Sequence, residues 1–230
     1  MRILVTRPIE DGAEIARRLA VMGHKALLAP LLTVRPYPGP PLSLDGIQAV
    51  LATSANGVRA LAARTRTRKV PVFAVGPQTA DAAARAGFIR VHNAAGNAVA
   101  LADAVCRWAE PGKGPLLHVT GEEADGRLAE ALSAHGFTVK REVLYRVEAA
   151  REMPAAAAEA LAQGTVQAAL FFSPRSARVF VDRVIGAGVS TAGLAAVCIS
   201  AATAEALSPL TFAEIRIAAA PNQAALLACL

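Results

Sequence analysis

The segment Arg2–Pro36, RILVTRPIEDGAEIARRLAVMGHKALLAPLLTVRP, is written a second time at Pro115–Ala149 as PLLHVTGEEADGRLAEALSAHGFTVKREVLYRVEA. Each copy opens on a short apolar run, ILV or LLHV, the pattern of a buried strand. A polar turn follows, then an alanine-rich stretch with apolar residues at helical spacing: Leu19 and Met22 in one copy, Leu128 and Leu132 in the other. Gly23 and Gly136 stand where a left-handed residue closes a helix. A further strand pattern, KALLAPLL or TVKREVLY, completes a strand–helix–strand unit.

The echo continues. Ile47–Leu61, IQAVLATSANGVRAL, is matched by Val166–Phe180, VQAALFFSPRSARVF, and Val72–Phe88, VFAVGPQTADAAARAGF, by Ala195–Leu207, AAVCISAATAEAL. Thr6 thus stands against Thr120, Ser54 against Ser173 and Thr79 against Thr203. A repeat of this length predicts two similar domains. Strands alternating with helices predict an α/β fold with parallel sheets flanked by helices. Right-handed crossovers would bring the strand-to-helix turns to the carboxyl edge of each sheet, where open α/β sheets bind ligands. Two stretches break the rhythm. Thr33–Pro41 is proline-rich and reads as a linker, and Val143–Pro154 closes the second copy.

The 230 residues suit two small domains, and at 54% hydrophobic but 4% aromatic their cores should be built from small side chains. The longest apolar runs, such as Ala168–Phe172, fall well short of the ~20 residues of a membrane span, so no membrane partner is expected. No export signal follows MRILVTRP, which makes a cytoplasmic protein the expectation. Cys106, Cys198 and Cys229 are too few and scattered for a disulfide framework or a paired metal site, and Cys198 reads as a small buried hydrophobe. The net charge of +6 favours anionic partners. Little aromatic interleaving and no nucleic-acid motif point away from nucleic acid and towards a small polyanion. The one dense basic cluster, Arg64–Lys69, reads as a solvated helix end and loop.

Six turns concentrate Thr, Ser, Gly and Arg: Thr6-Arg7-Pro8, Thr53-Ser54-Ala55-Asn56, Gly76-Pro77-Gln78-Thr79, Thr120-Gly121-Glu122, Ser173-Pro174-Arg175-Ser176 and Ser200-Ala201-Ala202-Thr203. Helix N-caps account for any one of them. Six together, with free backbone N–H groups and hydroxyls, suit carboxylate or phosphate. No phosphate loop, dinucleotide glycine fingerprint or GxSxG elbow is present. His24, His92, His118 and His135 lack paired metal-ligand spacing, and only His118, in a strand near a turn, is placed for a site role. No metal and no paired acid–base carboxylates are expected. Tyr145, one of two tyrosines, lies in the crossing segment VLYRVE, where packing at an interface would explain it alone.

In the order and spacing of VTRP, ATSANGV, FAVGPQTADAAARAG, LLHVTG, VLYRV, FFSPRSA, SAATAEAL and PNQAALL, the chain resembles the uroporphyrinogen-III synthase family over essentially its full length. The resemblance implies two flavodoxin-like lobes joined by two linker strands. Lobe one would be 1–34 with 149–230 and lobe two 38–144, with linkers near 35–37 and 145–148. Facing turns would then border a cleft. It implies a cofactor-independent carbon–oxygen lyase, a monomer, that closes linear hydroxymethylbilane to uroporphyrinogen III with loss of water and inversion of ring D, on the way to haem, sirohaem or cobalamin. Uncatalysed closure gives the type I isomer, so conformational control of the polycarboxylate is the task implied for the protein. The family's tyrosine, proposed to assist departure of the hydroxyl, carries over to Tyr145. Binding roles carry over to Thr6, Arg7, Ser54, Ala55, Gly76, Gln78, Thr79, Thr120, Gly121, Ser173, Ser200 and Thr203. The family's usual glycine in the last turn is Ser200 here, whose side chain would crowd a close carboxylate. Two other readings fit the same residues: a non-catalytic relative that binds a tetrapyrrole or other anion, and a generic phosphate-binding α/β protein.

Overall fold

The computed structural model describes all residues 1–230. The first half of the chain holds β1 (Arg2–Val5), α1 (Ile9–Val21), β2 (Lys25–Leu28), β3 (Leu32–Pro36), β4 (Ala49–Ala52), α2 (Ala55–Arg64), β5 (Val72–Ala74), α3 (Pro77–Arg85), β6 (Val91–Asn93) and α4 (Ala98–Trp108). The second half holds β7 (Leu116–Gly121), α5 (Arg127–Ala134), β8 (Val139–Ala149), α6 (Ala155–Ala162), β9 (Ala168–Phe171), α7 (Pro174–Ala187), β10 (Ala195–Cys198), α8 (Ala201–Glu205), β11 (Glu214–Ile217) and α9 (Gln223–Leu227). These elements form two compact units, Met1–Thr33 with Glu148–Leu230, and Val34–Val147. The chain passes from one unit to the other within β3 and returns within β8.

The first unit carries a parallel sheet in the order β11-β10-β9-β1-β2. The second carries β3-β8-β7-β4-β5-β6, parallel from β8 to β6. Setting β3 aside, the two orders coincide strand for strand, with β2, β1, β9, β10 and β11 matching β8, β7, β4, β5 and β6. Each unit therefore takes its first strand–helix–strand from one copy of the repeat and its remaining strands from the other.

The cores follow from strand alternation. In the second unit Val50, Ala52, Leu117 and Val119 face α2 and α3, where they pack on Val58, Leu61 and Ala83. Ala49, Leu51, Phe73 and Leu116 face α4 and α5, meeting Leu101, Val105, Leu128 and Leu132. In the first unit Ile3, Val5, Leu170 and Val197 pack on Ile15, Leu19 and Leu226. Each fully buried Leu or Ile contributes roughly 1.5–3 kcal/mol. Gly23 and Gly136 sit at φ +79° and +80°, closing α1 and α5 in the left-handed conformation.

The proline-rich stretch Thr33–Pro41 begins as strand: β3 runs to Pro36 beside β8, and the chain passes between the units within it. An edge strand tolerates the proline because no ladder donor is needed there. The Arg64–Lys69 cluster is not simply solvated. Arg68 donates to the carbonyls of Ala62 (3.0 Å), Thr65 (2.6 Å) and Ala86 (2.7 Å) and lies over the Phe88 ring. A guanidinium there satisfies carbonyls left unpaired at the end of α2 and complements the helix dipole. Arg64 donates to the Pro40 carbonyl at 2.7 Å, leaving Arg66 and Lys69 as the cluster's exposed cations.

Helix α2 lies close on β7: a Cβ at Gly57 would stand 2.9 Å from the Val119 carbonyl oxygen. Gly57→Ala gains up to about 1 kcal/mol of helix propensity, but forcing helix from strand costs about 1–3 kcal/mol. A lower urea midpoint at unchanged m-value is the expected outcome, and a raised midpoint would contradict this packing.

Candidate functional site

The carboxyl ends of neighbouring strands gather the Ser/Thr/Gly turns into two rows, one in each unit. In the first unit β1, β9 and β10 are adjacent, so Thr6-Arg7, Ser173 and Ser200 stand side by side. In the second unit β7, β4 and β5 are adjacent and align Thr120-Gly121, Ser54-Ala55 and Gly76 with Gln78 and Thr79. Ser54, Ser173 and Ser200 are helix N-caps, accepting from the amides of Gly57 (3.0 Å), Ser176 (3.1 Å) and Thr203 (3.3 Å). Thr6 and Thr120 are not caps. Both are buried strand ends whose hydroxyls donate to the carbonyls of Leu170 (2.8 Å) and Gly121 (3.3 Å). The Thr120 turn leads into α5 only after a loop, at Arg127.

The second row carries the closest chemistry. Tyr145, on β8, is 7% exposed, and its hydroxyl lies 2.8 Å from Ser54 Oγ at the end of β4. To reach it the ring crosses β7. Gly121 makes this possible, since a Cβ there would lie 2.8 Å from Tyr145 Cε2. Strand phase also has to change. Val139 packs on the α4/α5 face, and strict alternation from Val139 would send Tyr145 to that face as well. The register instead slips: Thr120 pairs with Val143 and Gly121 with Tyr145, leaving Leu144 as a bulge. Both Leu144 and Tyr145 then join the α2/α3 face. Re-aiming a side chain beside a site is what bulges do.

His118 occupies the other face of β7. It is 3% exposed, with Nε2 3.4 Å from Thr53 Oγ1. Burial, helped by the Arg141 cation and opposed by Asp125, pushes its pKa down to about 4. His118 is therefore a neutral imidazole next to the residue that precedes Ser54. His135 is exposed, its Nδ1 2.9 Å from the Ala131 carbonyl. His92 packs against Phe73 and Trp108.

In the first row Arg7 is paired with Asp11 at 2.7 Å and lies 4.8 Å over the Phe172 ring, so its guanidinium is held at the sheet edge. Ser173 Oγ meets Ser176 Oγ at 3.1 Å, and Ser200 Oγ meets Thr203 Oγ1 at 3.0 Å. Ser200 has φ −158° and ψ 164°, and Gly76, its counterpart in the repeat, has φ −162° and ψ 175°. Both are extended conformations open to any residue, so the backbone does not require glycine at either position. A Cβ on Gly76 would meet nothing closer than 3.9 Å. Ser200 is thus accommodated as a cap.

No three His, Cys, Asp or Glu side chains converge as a metal site. Burial pushes the Cys198 thiol up to about 12, as suits a core residue. A separate cavity of about 390 Å³, lined by Arg151, Glu152, Met153, Asp182 and Arg183, lies at the end of α7 remote from Ser173. No helix is long and apolar enough to cross a membrane.

A family model described as uroporphyrinogen-III synthase HemD matches residues 13–228. The chain belongs to the uroporphyrinogen-III synthase family. Among solved structures, the uroporphyrinogen-III synthetase of Helicobacter pylori is similar at 21% identity and TM-score 0.64, over 99% of this chain and 97% of that one, and shows the shared fold. A mutant uroporphyrinogen III synthase of Thermus thermophilus is similar at 18% identity and TM-score 0.49, over 94% of this chain and 92% of its own. No curated protein matches. Sequence reasoning alone missed, in this synthase-family chain, what brings Tyr145 to Ser54: neither the bulge nor the space over Gly121 has a signature in the one-dimensional pattern.

The depressed His118 pKa fixes a pH dependence. The folded value is below the unfolded one of about 6.5, so the unfolded chain binds the proton first. The stability it supports is complete above about pH 6.5 and falls by about 3 kcal/mol in all as the pH drops through 4. Subtracting the curve of His118→Gln from that of wild type should isolate this slope, and a flat difference between pH 7 and 4 would contradict the assignment.

Proposed function

We propose that this family member closes hydroxymethylbilane to uroporphyrinogen III, acting as a carbon–oxygen lyase. The observation that carries the reading is the Tyr145–Ser54 pair at the carboxyl ends of β7 and β4, beside turns rich in anion donors. Ser54 Oγ already accepts the Gly57 amide. With its own proton directed to the Tyr145 oxygen, the phenol proton is left to point outwards. Donated to the hydroxyl of the bilane, it lets the C–O bond break and water depart, and the pyrrole N–H proton, lost to the phenolate, leaves an azafulvene and restores the tyrosine.

Ring D then attacks through its substituted α-carbon, and the spiro intermediate fragments and recloses. No electrons are gained or lost overall. Because the unassisted reaction closes to the type I isomer, the work asked of the protein is to hold the chain in the less direct geometry. Amides at the starts of α2 and α3, beside the Tyr145–Ser54 pair, are suited to acetate or propionate groups of such a substrate. The net charge of +6 favours its approach.

Freshly made hydroxymethylbilane should give predominantly type III product with the purified protein. Type I product at the spontaneous rate would overturn the reading. Tyr145→Phe should lower kcat by about 10²-fold, the scale of general acid catalysis, with the fold retained by circular dichroism. An unchanged rate would remove Tyr145 from the chemistry.

A further inference from the structure

Arg183 on α7 holds a buried donor that the protein does not satisfy. Its Nη1 donates to the Arg151 carbonyl at 2.7 Å, but its Nε is buried and no protein group accepts from it. An unpaired N–H on a charged group is costly to bury, and an acceptor on a ligand would offset that cost. The Nε–H and one Nη2 hydrogen point the same way from a guanidinium. That edge is a fork able to take both oxygens of a carboxylate.

Arg183 borders the cavity of about 390 Å³ lined by α7, α6 and the loop that joins β8 to α6. The whole lining belongs to the first unit. Its size falls in the range of small-molecule sites. Gly186 lies one turn beyond Arg183 on the same helix face, and a Cβ there would meet nothing within 4 Å. The Arg183 side chain, itself half-buried, thus has room to turn its free edge into the cavity. The walls sort the ligands. Met153, Ala158 and Ala187 are apolar and suit a hydrocarbon tail. The carboxylates of Glu152 and Asp182, both exposed residues, oppose a doubly charged group such as phosphate. A singly charged head on a short apolar tail meets both conditions.

We propose that this cavity is a further ligand site, taking a short aliphatic carboxylate with its head on Arg183 and its tail on Met153. Arg151–Met153 follows β8, where the chain has re-entered the first unit, so an occupant ties that loop to α7. The site stands independently of the reaction proposed above.

The chain has three methionines, of which Met1 and Met22 are exposed and Met153 is buried. In protein labelled with ¹³C-methyl methionine, butanoate should move the Met153 signal saturably and leave the other two in place. Equal concentrations of sodium chloride or inorganic phosphate should move none. Arg183→Lys keeps the charge but loses the fork, and should weaken butanoate at least about tenfold, the size of one charge-assisted hydrogen bond. Gly186→Leu fills open space and removes a glycine from a helix, so it should abolish the response with circular dichroism native. A Met153 signal indifferent to butanoate overturns the site. An equal response to phosphate or chloride does so too, as does a response that either folded variant leaves unchanged. Should one variant not fold, the other decides. Tyr145→Phe should bind butanoate as wild type does, and wild type that forms no type III product would overturn the proposed function while leaving this titration to decide the cavity.

Discussion

A hydrogen bond of 2.8 Å between Ser54 Oγ and Tyr145 OH is the interaction on which the second unit's edge depends. It joins β8 to β4 across the intervening β7, a distance of two strand spacings, about 10 Å. Three conditions have to hold together. Leu144 must bulge so that Tyr145 changes face, Gly121 must lack a side chain so that the ring can cross, and Ser54 must sit at an N-cap where its oxygen is fixed by the Gly57 amide. Gly57 in turn is small because α2 has to lie against the Val119 carbonyl. Tyr145, Gly121, Ser54 and Gly57 thus form one spatial unit drawn from three separate stretches of chain.

The two sheets share one strand order, yet neither is made from one copy of the repeat. The chain leaves the first unit within β3 and returns only within β8, so each unit depends on strands far apart in sequence. Such pairing carries a loop-closure cost before its contacts form, the condition under which folding is slow. The arrangement also explains why corresponding turns differ. The edge of β4, β5 and β7 has a tyrosine beside it on β8, whereas the matching edge of β9, β10 and β1 has the Arg7–Asp11 pair and the Phe172 ring instead.

The α/β class was legible because the apolar runs, polar turns and closing glycines of Arg2–Gly23 and Leu116–Gly136 follow rules of local conformation. Ser54, Ser173 and Ser200 were legible as helix starts for the same reason. What the residues could not disclose was non-local. Thr6 and Thr120 look like the other turn residues, but burial directs their hydroxyls to main-chain carbonyls. Arg68 looks like one charge in a basic run, but the end of α2 and Phe88 are folded beneath it. Tyr37 carried no signal beyond being the second tyrosine, because the Leu144 carbonyl that its amide meets reaches it only through the β3–β8 arrangement.

We propose that the edge built around Tyr145 and Ser54 is where the tetrapyrrole is handled. Titration of ¹⁵N-labelled protein with uroporphyrinogen III, followed by amide resonances, tests it directly. The largest shifts are expected at Ala55–Gly57, Gln78–Thr79 and Gly121–Glu122. Shifts confined to the cavity at Arg151–Met153 and Asp182–Arg183, with those turns unmoved, would contradict it.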